Sequence, residues 1–187
     1  MTILWQEARS YVGSGRLELL KRSPEGTEKY RKHKQTLTGD ISIDVCGKLG
    51  WDPQEIIELN TVKFPNPAQK VDAVFSSSKW FKTTVNDFPY DFESGVHHLL
   101  IWSKVSLPLY GENSETIQNE VYNKISNFLK YNLEIHYRLD PQDYLFFINY
   151  SNLQSVKAIS HIHLLLHSDE SIANKILSDQ LKPYIEY

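Results

Sequence analysis

The chain has 187 residues, 41% hydrophobic and 23% charged, with 20 basic against 23 acidic side chains for a net charge of −3. These values exclude a disordered or fibrous chain and a basic field that would draw the protein onto nucleic acid; the length suits one domain with an appendage. A single cysteine, Cys46, excludes an internal disulfide framework and a cysteine-rich zinc site.

Met1 to Glu7 lacks the basic flank and apolar run of a signal peptide. The longest apolar runs, Leu99 to Trp102 and Leu145 to Ile148, are too short to span a bilayer. The expectation is a protein away from the membrane, in the cytoplasm or also the nucleus.

Residues 1–70 read as a helical segment. Leu17, Leu19 and Leu20 close a first stretch, and Ser23-Pro24-Glu25 offers a cap followed by proline in the first turn. Glu25 to Gln35 is polar throughout, as a solvated helix is. Ile41, Val45 and Leu49 recur at helical spacing and Gly50 ends that helix. Asp52-Pro53 starts a short one over Gln54 to Leu59, and Thr61 to Gln69, with two prolines, reads as a separating loop.

Residues 71–187 alternate strands and helices. Strands are predicted over Trp80 to Val85, Val96 to Val105, Tyr144 to Tyr150 and Ser160 to His167, with Asn86 to Tyr90 as a turn. Ser114 caps a predicted helix with the stripe Ile117, Val121, Ile125, Phe128 and Leu129. Leu133 to Arg138 reads as loop or short strand, and Ser168 caps a last helix that Pro183 stops. Two adjacent strands, a helix and two more strands predict an α+β fold, an antiparallel sheet with flanking helices.

The informative run is Ser160 to Ser168. Side chains alternate along a strand, so His161, His163, Leu165 and His167 share one face while Ile162, Leu164 and Leu166 form a core face. The histidine face is open to three readings: an exposed polar face, a metal site completed by His97, His98 or His136, or a nucleophilic imidazole, competent at neutral pH near its ordinary pKa of ~6.5. Trp51, Trp80, Trp102 and Tyr90 are candidates for a stacking surface.

Two resemblances follow from these motifs. Leu19 to Pro24, Leu49-Gly50-Trp51, Asn86 to Tyr90, His98 to Lys104 and Leu153 to Val156 followed by His161-Ile162-His163 resemble the fungal N-acetylglucosamine-induced protein family, whose domain has no assigned function. Residues 80–167 also resemble the histidine triad superfamily: Asn86, Phe88-Pro89-Tyr90, Gly95, His98 and Lys104, then Asn149, Gln154-Ser155-Val156 and His161-Ile162-His163. That second resemblance implies a histidine-triad-like core behind the N-terminal helices, and a nucleotide or phosphate ester as ligand. It implies His163 as a nucleophile toward the phosphate, steadied by His161. Asn86, His98, Lys104, Asn149, Gln154, Ser155 and His167 are the implied substrate contacts, with no metal or cofactor. Two departures stand out: Leu165 occupies the third triad position, and Gln154 lies seven residues before His161 where the superfamily has about four. The alternative is a non-catalytic interaction or regulatory protein in a fungal amino-sugar response.

Overall fold

The structure, a computed structural model, describes residues 1–110 and 118–186. Four strands form one antiparallel sheet: β1 (Phe81–Val85), β2 (Val96–Ser103), β3 (Tyr144–Phe147) and β4 (Ser160–His167), in the order β1-β2-β4-β3. Register puts Leu100 opposite His163 and Trp102 opposite His161, while His98 lies opposite Leu165. Directly opposed residues share a face. One face therefore holds Leu99, Ile101, Ile162, Leu164 and Leu166, and the other holds the histidine row. The α+β class with an antiparallel sheet is as expected.

Two helices cover the aliphatic face. From α6 (Asn119–Leu129), Val121, Ile125, Phe128 and Leu129 are buried; α7 (Glu170–Asp179) contributes Ala173 and Ile176. Phe75 stacks on Phe128 with ring centroids 3.9 Å apart. Ser114 and Ile117, placed in the predicted stripe, lie outside the described residues.

The N-terminal helices cover the histidine face. They are α1 (Trp5–Gly13), α2 (Pro24–Thr36), α3 (Ile41–Leu49) and α4 (Pro53–Glu58); α5 (Pro67–Ala73) instead packs against α6 on the aliphatic side. Trp5, Leu17 and Leu20 pack with Leu165 and Phe147 at one end of the sheet. Cys46, Leu49 and Ile56 pack with Leu100 and Trp102 at the other. Local signals set these ends: the Ser23 hydroxyl accepts from the Gly26 N–H, Asp40 accepts from the Ser42 N–H, and Gly50 takes the left-handed conformation (φ +70°) that closes α3.

Several boundaries differ from expectation. The loop predicted over Thr61 to Gln69 is a π-helical turn, Leu59–Lys63, followed by α5, which starts on Pro67 behind an Asn66/Gln69 capping box. Leu133 to Arg138 is no strand: a π-helical turn, Lys130–His136, prolongs α6. There Asn132, fully buried, donates to the Phe128 and Lys182 carbonyls and accepts from the Lys182 N–H, clipping the C-terminal segment to the helix. Asn132→Ala is expected to cost about 2–3 kcal/mol, since it removes two bonds to Lys182 and one to the Phe128 carbonyl; urea unfolding should show a lower midpoint. The strands β2 and β3 end at Ser103 and Phe147, short of the predicted Val105 and Tyr150. Helix α7 begins behind Asp169; the Ser168 hydroxyl donates to the Asp169 carbonyl instead of capping.

The outer edge of β1 is occupied by a side chain. Gln180 accepts from the Thr83 N–H (2.8 Å) and donates to the Thr83 carbonyl (3.1 Å) and the Leu177 carbonyl (2.7 Å). Its backbone sits at φ +62°, a strained region for a non-glycine residue. Among the described residues no helix is long and apolar enough to cross a membrane.

Candidate functional site

Between the two apolar clusters under the N-terminal helices lies a cavity of about 370 Å³, partly open to solvent. That is within the ~300–1,000 Å³ common for small-ligand sites. Its floor is the middle of the histidine face: Leu100, Trp102, His161 and His163. Asn86 and Asn149 enter from the ends of β1 and β3, and Ser155 stands at the rim. Helices α2 and α3 supply Tyr30, His33, Asp44 and Lys48, and the preceding segment supplies Arg22.

Hydrogen bonds tie the floor into one network. The Phe88 N–H donates to Asn86 Oδ1 (3.0 Å), which turns the Asn86 amide nitrogen toward His98 Nε2 at 3.2 Å. That same Nε2 lies 2.9 Å from His163 Nδ1, and the Tyr90 N–H points at His98 Nδ1 from 3.3 Å. The Asn149 amide nitrogen donates to the Tyr90 hydroxyl (2.9 Å) and lies 3.3 Å from His163 Nε2. His161 is separate: its Nδ1 meets the Ile159 carbonyl at 3.1 Å.

These imidazoles are held neutral at pH 7. Burial, with the Arg22 charge as a second cause, pushes His98 down to about 3. Burial does the same to His163, reinforced by His98, His161 and Arg22. His161 is lowered by burial and partly restored by its bond to Ile159.

Charge at the mouth is unevenly matched. Lys48 lies 3.6 Å from Asp44 and 3.4 Å from Asp87. Arg22 donates through Nε to the Phe88 carbonyl (2.9 Å) and lies over the Tyr30 and Tyr90 rings, 4.3 and 5.3 Å from their centroids. No carboxylate lies within ion-pair distance of its guanidinium among the described residues.

The structure thus gathers Asn86, His98, Asn149, Ser155, His161 and His163, with His98 behind the wall. Three expected contacts fall elsewhere. Lys104 is buried against Glu55, Nζ to carboxylate 2.7 Å, so its charge is spent on bracing α4 to the sheet. Gln154 donates to the Asn149 carbonyl (2.8 Å) and does not line the cavity. His167 is exposed and stacks on Trp5 at 5.2 Å, with the buried Leu165 between it and the cavity. Trp102 and Tyr90 line the cavity, whereas Trp80 packs on Phe64 and Trp51 on Lys104. Among the described residues no three His, Cys, Asp or Glu side chains are grouped to hold a metal ion. Among the lining residues not expected is Arg22: it stands one residue before the Ser23 cap, and only the packing of α2 over Phe88 brings it to the cavity.

Two proteins of similar sequence come from fungi. The chain is 37% identical over 163 residues to the uncharacterized protein YPL067C of Saccharomyces cerevisiae, spanning 87% of this chain and 77% of that one. It is 30% identical over 185 residues to N-acetylglucosamine-induced protein 1 of Candida albicans, spanning 93% and 72%. Among solved structures, the crystal structure of HTC1 superposes with a TM-score of 0.78 at 32% identity, covering 97% of this chain and 98% of that one. Residues 4–167 match DUF3605, a family described as proteins of unknown function, and the chain belongs to that family.

Proposed function

We propose that the cavity binds a nucleotide or a related phosphate ester, and that a neutral imidazole on its floor serves as nucleophile in a slow hydrolase or transferase step. One observation carries the reading: Arg22 presents to the cavity of His161 and His163 a guanidinium with no ion-paired carboxylate among the described residues. A fixed, forked cation is suited to phosphate oxygens. Neutral imidazoles add lone pairs without needing prior deprotonation. The likeness to the histidine triad pattern, with Asn86, Asn149 and Ser155 on the same cavity, supports the class of ligand. Leu165 in the third triad place removes a donor, an omission worth ~10²–10³ in rate where such donors act.

The test is calorimetric titration of AMP, ADP, a nucleotide sugar and inorganic phosphate into wild type, Arg22→Lys and Arg22→Met. Wild type should bind at least one ester, Arg22→Met should weaken it at least tenfold, and Arg22→Lys should fall between. Equal binding by wild type and Arg22→Met, or no binding by wild type at millimolar ligand, overturns the reading. A second reading, a non-catalytic regulatory protein in a fungal amino-sugar response, draws on the name of the Candida albicans relative; binding without turnover would favour it.

A further inference from the structure

We propose that His161, not His163, carries the reactive lone pair of the cavity, and that His163 is a positioning residue. The choice of substrate rests on the phosphate-ester reading above; the choice of imidazole does not.

A carbonyl oxygen only accepts, so the His161 Nδ1 beside the Ile159 carbonyl bears the ring proton. Nε2 then holds the lone pair. That atom has no hydrogen-bond partner among the described residues, yet it is not one of the unpartnered atoms sealed from solvent, which are Tyr30 Oη, Thr83 Oγ1 and Asn149 Oδ1. The ring is steadied by Trp102, with centroids 4.8 Å apart, and Trp102 is itself pinned through Nε1 to the Thr84 hydroxyl at 3.0 Å. An imidazole oriented by a backbone carbonyl, with its far nitrogen free in a cleft, has the geometry of an activated nucleophile or base.

His163 has the opposite arrangement. Its Nδ1 meets His98 and its Nε2 meets Asn149, so both nitrogens are engaged whichever ring of the pair carries the shared proton. Its faces are occupied too: Phe147 stacks at 4.7 Å with planes 3° apart, and Tyr90 at 5.8 Å and 12°. His163 contributes a rigid, neutral wall at 5.4 Å from the His161 ring.

On a phosphate ester the step balances as follows. The Nε2 lone pair forms an N–P bond while the P–O bond to the leaving group breaks. The departing oxygen keeps the electron pair and takes a proton from solvent. Positive charge on the ring is shared through Nδ1–H with the Ile159 carbonyl, and Arg22 faces the non-bridging oxygens. Water then attacks phosphorus, the N–P pair returns to Nε2, and the water proton passes to solvent.

Diethyl pyrocarbonate tests the residue without any substrate. It acylates an accessible imidazole lone pair, forming an N–C bond and releasing carbon dioxide and ethanol. On the intact chain at pH 7, tandem mass spectrometry should find His161 labelled and His163 and His98 unlabelled. The labelling rate of His161 should level off at lower pH than that of an ordinary exposed histidine, which rises through ~6.5, because burial lowers its pKa. In His163→Gln the label should remain on residue 161; in His161→Gln none should appear on His163, while the exposed His167 stays labelled in every variant. Labelling of His163 in preference to His161, or an unlabelled His161, overturns the proposal. Protection of His161 by AMP supports both readings. Labelling of His161 that AMP, ADP, a nucleotide sugar and inorganic phosphate all leave unchanged refutes the phosphate-ester reading and leaves the reactive residue assigned.

Discussion

A histidine introduced at position 165, Leu165→His, is expected to lower stability by about 2–4 kcal/mol and to bring no gain in turnover over wild type. The substitution would complete the alternating histidine pattern on β4, so the pattern alone predicts a gain. The packing predicts the reverse. Leu165 is fully buried against Trp5, Leu17, Leu20 and Phe147, and its neighbour across β2 is His98, whose nitrogens already meet His163, Asn86 and Tyr90. An imidazole there would lose the apolar contacts of α1 and bury a polar ring without a ready partner. It would also stand outside the cavity, whose wall ends at His163 on this strand. Urea unfolding at pH 7.5 measures the loss. A change under about 1 kcal/mol together with new hydrolysis of a phosphate ester would show that α1 does not seal this end of the sheet.

Acid is expected to loosen the fold before carboxylates titrate. His98 is neutral in the folded chain with its pKa pushed to about 3, and in the unfolded chain it titrates near 6.5. Its folded pKa is depressed, so the unfolded chain binds the extra proton between those values. The stability it supports is complete above about pH 6.5 and falls as pH drops toward 3, by ~1.4 kcal/mol per pH unit. At pH 5 that amounts to about 2 kcal/mol for His98 alone, a large share of a typical 5–15 kcal/mol. His163 and His161 are shifted in the same direction and add to the slope. Thermal unfolding at pH 7.5, 6 and 5 should show the decline, and His98→Gln should show a shallower one, whatever its stability at pH 7.5. Equal slopes in the two proteins would mean that His98 is not the neutral, buried group described.

Much of the architecture is legible because its signals are local. Alternation along Ser160 to His167 separates the two faces of β4, and caps at Ser23, Asp40 and Asp52 start three helices where the sequence places them. Helix α5 reads as loop in the sequence, although its start signal is local: Asn66, Pro67 and Gln69 form it, and the paired prolines disguise it. The π-helical turn after α6 is not legible, because Asn132 secures it through Lys182, 50 residues away. Within the site, the likeness to the histidine triad pattern names Asn86 and His98 with the histidine row, and the antiparallel pairing of β1 with β2 sets them side by side. The partners of Lys104 and Arg22 depend on tertiary contact. A lysine at a strand end looks available until Glu55 is found against it, and an arginine in a polar stretch looks solvated until α2 lays it over Tyr90. His167 shares a face with His163, but periodicity does not report that it stacks on Trp5, away from the cavity.

Gln180, with its strained backbone and its paired bonds to Thr83, bears on self-association. Its amide mimics one residue of a neighbouring strand, so a stranger's backbone meets a filled position where an open sheet margin would invite cross-chain growth. The protein thereby carries a stopper against fibril-like stacking from this side, held in place by a distortion that α7 sustains.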